Sequence, residues 1–275
     1  MEKKIVKIFD TAFAHVPYCT LNNESKNIVW DRTGIINDGD LVFFTDASLN
    51  RVHSVTGNCK KFAWLIEPPV IQDNYSFIKD NWQHFDMIFT HQSKLLELSD
   101  RFKWTPMWCT WIKPENQKIT RKSKGVSIIA SPKKDAPGHR LRHEIINSLQ
   151  SVIELDKFGR DFKFIDEKSE GLLDYRFSFI IENDKDPIYF TEKLIDCLVC
   201  GTIPIYWGAE RVGEHFDTRG FFIVNSLDDI LSIVDKLNEE TYQQMLPYVI
   251  SNYETAKKYC SVEDFIYENY LTPFV

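Results

Sequence analysis

The strand-like run "YRFSFIIEN" ends on Glu182-Asn183, and after the loop "DKDPIYF" the chain reads Thr191-Glu192-Lys193 ahead of an apolar helix pattern. These residue types at this spacing could hold an anion. Thr191 is a good N-cap for a helix starting at Glu192. Leu194, Ile195, Leu198 and Val199 recur at helical spacing and form an apolar face, and Gly201 is placed to stop the helix. A helix start offers unpaired N–H groups and a partial positive charge that favour phosphate or another anion. Lys193 opposes that dipole and makes more sense with an anion beside it. Glu192 is favoured there and could also accept hydrogen bonds from ligand hydroxyls. The same spacing is open to a solvated helix start with an ordinary ion pair.

The elements that must position these groups alternate in type. "KIVKIFDTAF", "DLVFFTDA", "KKFAWLIEPP" and "FDMIFTHQ" read as strands, with helix-like "NYSFIKDNWQHF" and "SKLLELSDRF" between the later ones and Ser93 as N-cap of the last. A polar tract, "IKPENQKITRKSKG", carries five basic residues and reads as a linker. A second set follows: strand "GVSIIAS", helix "GHRLRHEIINSLQSV", short strand "LDKFGR", the two elements above, strands "IPIYWG" and "GFFIVNS", and three helices from Leu227 to Leu271. The alternation predicts two α/β, Rossmann-like domains facing a central cleft, with ligands at the carboxyl ends of the strands. The expected division is 1–115, a linker at 116–124, 125–261, and a last helix over 262–275 that returns to the first domain.

Composition narrows the function classes. The 275 residues are 43% hydrophobic and 14% aromatic, enough for real cores. A net charge of −7, from 33 basic and 40 acidic residues, argues against a nucleic-acid surface. No apolar run is long enough to span a membrane, and the opening "MEKKIVKIFDTAF" is broken by Lys7 and Asp10, so no signal peptide is expected. Cys197 and Cys200 form a C-x-x-C inside an apolar helix with no second ligand pair, which predicts buried thiols. The chain reads as soluble and cytoplasmic.

"YRFSFIIEN…YFTEKLIDCLVCGTIPIYWG" resembles the donor-binding signature of the family 10 glycosyltransferases, the α1,3/α1,4-fucosyltransferases. Phe179, Glu182, Asn183, Tyr189, Thr191, Glu192, Lys193, Pro204 and Gly208 stand in its order, and the likeness extends upstream through the helix before Phe158-Gly159-Arg160. The resemblance implies a GT-B arrangement and transfer of L-fucose from GDP-fucose to a glycan hydroxyl, with inversion. It places Arg142, with Arg140 as rival, and Lys193 on the pyrophosphate, and Glu182, Asn183, Tyr189, Thr191 and Glu192 in the donor site. Fixed cations aimed at a departing diphosphate lower the barrier to its loss. No cofactor is implied as a requirement; Mn²⁺ or Mg²⁺ could stimulate by neutralising the diphosphate.

Inversion needs a base for the acceptor hydroxyl. The resemblance puts it at a strand end in the first domain, where Glu67 of "FAWLIEPPVI" stands before Pro68-Pro69; the family often has Ser at the first of these. Asp46 after "LVFFT" is the reserve. Asp86 reads as a turn residue, and so do the carboxylates of Asp38-Gly39-Asp40, formally a D-x-D. His91, His139 and His143 could face the cleft, and Trp104, Trp108 and Trp111 could stack on an acceptor sugar or pack in a core. The chain shows none of the anchors or repeat tails of some family members and reads as a minimal bacterial or viral unit. Its expected acceptor is an oligosaccharide or lipid-linked glycan. Two other readings remain: a transferase for another nucleotide sugar, and a non-catalytic glycan- or nucleotide-binding module, which would be indifferent to Glu67→Ala.

Overall fold

The computed structural model describes residues 2–19, 22–69, 71–107 and 109–274. Trp108 lies outside the described residues. The chain divides into two compact units, one of residues 1–109 with 261–275 and one of residues 110–260. The tract expected as a linker, 116–124, runs inside the second of these.

The first unit holds a six-stranded parallel sheet: β1 (Lys4–Phe9), β2 (Ile28–Asp31), β3 (Leu41–Thr45), β4 (Lys60–Trp64), β5 (Met87–Thr90) and β6 (Phe102–Trp104), in the order β2-β1-β3-β4-β5-β6. All five residues of β3 are buried, as expected of a central parallel strand covered on both faces. Strand alternation splits them: Phe43 packs with Phe62, Trp64 and Phe89, while Val42 and Phe44 pack with Ala63 and Ile88 on the other side. Helices α1 (Tyr75–Asn81) and α2 (Ser93–Leu96) connect the later strands. Ser93 is not the N-cap expected of it. Gln92, in extended conformation, takes that position, and Ser93 is the first helical residue. The "SKLLELSDRF" helix is also shorter than its pattern suggested, because Phe102 turns into the core and pairs with Ile88 to open β6.

The second unit holds β7 (Lys124–Ile129), β8 (Leu155–Phe158), β9 (Tyr175–Ile181), β10 (Ile203–Trp207) and β11 (Phe222–Ile223), all parallel, in the order β11-β10-β9-β7-β8. Its helices are α3 (Pro137–Leu149), α4 (Glu192–Val199), α5 (Leu227–Ile233) and α6 (Glu239–Ala256). β8 lies on one side of β7 and β9 on the other, so the strand order reverses between β7 and β9. Open α/β sheets leave a crevice outside the carboxyl ends of the strands at such a point. Cys197 and Cys200 are buried free thiols.

The helix expected to return to the first domain, α7 (Val262–Ile266), belongs to the first unit. Val262, Ile266 and Leu271 join the core around Phe43 and Trp64. Buried Glu263 accepts hydrogen bonds from the Cys19 N–H at 2.6 Å and the Trp30 indole N–H at 3.2 Å. Asp264 accepts from the Ser25 hydroxyl at 2.6 Å and the Lys26 N–H at 2.9 Å. Among the described residues, no helix is long and apolar enough to cross a membrane.

Candidate functional site

A cavity of about 310 Å³ opens where the strand order reverses in the second unit. Its walls come from the carboxyl ends of β7 and β9 (Ile129, Ser131, Phe179–Ile181, Asn183), from α3 (His139, Arg142), from α4 (Glu192, Lys193, Asp196), and from Trp111, Lys133, Lys168 and Leu172.

Three local features bring these groups together. First, α3 lies against the end of β9: the Gly138 N–H donates to the Asn183 carbonyl at 3.0 Å. A Cβ on Gly138 would sit 1.7 Å from the Glu182 carbonyl oxygen, so only glycine permits this approach. Second, one helical turn further along α3, buried Arg142 bridges the strand end. Its Nε donates to the Ile181 carbonyl at 3.1 Å and one terminal nitrogen to Asn183 Oδ1 at 3.0 Å, with the same nitrogen also on the Ile181 carbonyl. Arg142 also lines the cavity. Third, Thr191 caps α4 by accepting from the Lys193 N–H at 3.3 Å. Gly201 follows the helix at φ +66°, the left-handed conformation that ends it.

The anion demanded by Lys193 at a helix start is supplied by the chain. Its Nζ lies 3.1 Å from Glu192 Oε1, 3.1 Å from Thr191 Oγ1 and 3.7 Å from Glu182 Oε2. Burial alone would raise the Glu192 carboxyl, but the charges of Lys193 and Lys168 hold it at about 2. Burial pushes the Glu182 and Asp196 carboxyls up, against the pull of Lys193 and Lys168 respectively. The His139 imidazole is lowered by burial and then by the Arg142 charge. Among the cavity-lining residues, Lys133, Arg142, Lys168 and Lys193 outnumber the carboxylates Glu192 and Asp196, an excess of positive charge suited to a polyanion.

The structure sorts the residues expected from sequence. Arg142, Asn183, Glu192 and Lys193 line the cavity; so do His139 and Trp111. Glu182, Tyr189 and Thr191 do not. Glu182 and Thr191 are fully buried and bonded to each other, and Tyr189 is buried at 1% exposure. Arg140 is exposed and donates to the Lys134 and Asp135 carbonyls, away from the cavity, and His143 pairs with the Ser131 carbonyl. Lys168, Asp196 and Lys133 line the cavity as well, beyond the residues expected from sequence. Lys168 sits in a polar stretch with no periodicity to mark it. Asp196 carried a signal, an acid one turn after Glu192 on the same face of α4.

The remaining candidates lie in the first unit. Half-buried Glu67 follows β4; the Tyr75 hydroxyl donates to its carbonyl at 3.1 Å. Buried Asp46, at φ +38°, accepts from the Ile66 N–H at 3.0 Å, next to Glu67. Asp86 holds Lys60 Nζ and the Lys61 N–H. Asp38 and Asp40 accept from the Asn58 and Asn37 N–H groups around a turn with Gly39 at φ +85°. His91 is buried against the Tyr75 hydroxyl at 3.4 Å, and burial lowers it to about 3. Trp104 packs edge-on against Phe265.

Comparison with known proteins adds the following. Residues 119–245 match the family described as glycosyltransferase family 10 (fucosyltransferase), C-terminal part. An α-(1,3)-fucosyltransferase of Helicobacter pylori is 27% identical over 131 residues, which is 47% of this chain and 27% of that protein. The match thus spans about a quarter of that relative's length. Among solved structures, an α1,3-fucosyltransferase with GDP-fucose aligns at TM-score 0.53 and 20% identity, over 80% of this chain and 72% of that one. The Anabaena protein HepE in complex with UDP-glucose aligns at TM-score 0.61 and 11% identity, over 84% of this chain and 78% of that one. At these identities the structural matches establish the fold, which is of the GT-B type.

Proposed function

Because this chain carries the family 10 glycosyltransferase C-terminal domain on a GT-B fold, we propose that it transfers L-fucose from GDP-fucose to a glycan hydroxyl with inversion at the anomeric carbon. The observation that carries this reading is the convergence of Arg142, Asn183, Glu192 and Lys193 on one cationic cavity at the carboxyl ends of β7 and β9.

The chemistry follows from charge. As the bond from the anomeric carbon to the diphosphate oxygen breaks, the departing GDP gains negative charge. Arg142 offers a delocalised, permanently charged guanidinium and Lys193 a compact point charge to stabilise it, both already oriented by the fold. Glu192 and Asn183 accept and donate hydrogen bonds to ribose or sugar hydroxyls. The acceptor oxygen attacks from the opposite face, forms the new bond, and passes its proton to Glu67 in the first unit. With the cations of the cavity carrying the neutralisation, turnover persists in EDTA and a divalent ion only stimulates it.

The test is calorimetric binding of GDP, GDP-fucose, GDP-mannose and UDP-sugars to wild type and Lys193→Ala. Selective guanine-nucleotide binding weakened by the substitution supports the reading. Preference for another nucleotide keeps the transferase and changes its sugar. No nucleotide binding leaves a glycan-binding module.

A further inference from the structure

One ion-pair network in the cavity is not used by the chemistry above. Lys168 opens a short 3₁₀ turn, Lys168–Gly171, between β8 and β9. Its Nζ lies 3.3 Å from Glu192 Oε1 and 3.0 Å from Asp196 Oδ2, and 3.9 Å from the centre of the Trp111 ring. Its side chain keeps only 20% of its surface exposed, against 7% for Glu192 and 1% for Asp196. Asp196 is pinned in turn: its Oδ1 accepts from the Thr110 hydroxyl and the Trp111 N–H, both at 2.7 Å.

Glu192 and Asp196 are one turn apart on α4, so their like charges would repel along the helix face. Buried carboxylates without a partner are costly. A cation from outside the helix resolves both problems, and Lys168 is placed between the two. Asp196, held rigidly by the segment at Thr110-Trp111, fixes where the ammonium sits. The ammonium then fixes Glu192 Oε1, and Lys193 reaches the same oxygen at 3.1 Å.

We infer that Lys168 is a positioning residue for donor recognition: braced on Asp196 and Trp111, it holds the Glu192 carboxylate in the orientation that reads hydroxyls of the nucleotide sugar. By sharing Glu192, it also frees part of the Lys193 charge for the diphosphate. This rests on the nucleotide-sugar reading above. A lysine that merely filled space would be replaceable by a residue of similar length, whereas this role needs a cation.

The experiment measures affinity for GDP-fucose by calorimetry in wild type, Lys168→Met, Lys168→Arg, Glu192→Gln and the Lys168→Met/Glu192→Gln double variant, with folding checked by circular dichroism. Lys168→Met is expected to weaken GDP-fucose binding by about tenfold or more, a loss of the size carried by charge-assisted hydrogen bonds. Lys168→Arg restores most of it. Glu192→Gln adds little once Lys168 is gone, since coupled residues are not additive. Equal affinity in Lys168→Met and wild type, or full additivity in the double variant, overturns the inference while leaving the donor site standing. A wild type that binds no nucleotide sugar overturns both. Should Lys168→Met fail to fold, Lys168→Gln takes its place in the same comparison.

Discussion

Glu182 and Thr191 close a two-bond bracket between the end of β9 and the start of α4: the Thr191 N–H donates to Glu182 Oε1 at 2.8 Å and its hydroxyl to Oε2 at 2.6 Å. Both residues are fully buried. The bracket sets the distance between Asn183, which follows the strand, and Glu192-Lys193, which open the helix. Glu182→Ala is therefore expected to orphan a buried N–H and cost about 1–3 kcal/mol, read as a fall in melting temperature. It should also weaken nucleotide binding without Glu182 touching the ligand. Unchanged stability would mean that water replaces the carboxylate.

The two arginines of α3 separate cleanly. Arg142→Ala removes a cavity-lining guanidinium and its tie between Ile181 and Asn183. It is expected to lower GDP-fucose affinity by about 10- to 100-fold, the size of one or two hydrogen bonds to a charged group. Arg142→Lys recovers little, because a point charge cannot span the same acceptors. Arg140→Ala, altering an exposed side chain bonded to the Lys134 and Asp135 carbonyls, should leave affinity unchanged. Titration calorimetry on the three variants checks this.

If Glu67 takes the acceptor proton, Glu67→Gln is expected to lower turnover by about 10²–10⁴-fold, the usual range for a general base. GDP-fucose affinity should stay near that of wild type, since the substitution lies outside the cavity-lining residues. Paired transfer assays and calorimetry separate the two effects. Full activity in the variant would pass the role to Asp46 or to another group.

Asp46 predicts a pH effect on stability. Burial raises its carboxyl from 3.8 to about 7, with the Glu67 charge adding to the push against the Ile66 hydrogen bond. Its Oδ2 has no hydrogen-bond partner among the described residues. A folded-state value above the unfolded one means stability is fully present below about 4 and is lost as pH rises through 7. The loss is on the order of 4 kcal/mol at alkaline pH. Asp46→Asn mimics the protonated form, and asparagine tolerates the positive φ of this position. The variant is expected to melt above wild type at pH 8 and level with it near pH 4. A pH-independent difference would rule out ionisation as the cause.

The amino-acid sequence by itself determined the alternation of strands and helices, because each buried run carries its period in its own residues. Thr191 as cap and Gly201 as stop were legible for the same reason: helix ends are local backbone problems with local side-chain solutions. The residues around Asn183, Glu192 and Lys193 could be read as an anion site from one strand end and one helix start, since these meet through a short loop. What only the tertiary structure decided was which polar groups face the cavity and which are consumed in building it. Glu182 and Thr191 look like site residues in sequence and are spent on each other in space. Arg142 and Arg140 lie two positions apart on one helix, and only the packing of Gly138 against the Glu182 carbonyl turns one inward and leaves the other in water. Lys168 could not be found at all, because its role depends on Asp196, Trp111 and Glu192, which come from separate segments and meet only after the chain has packed.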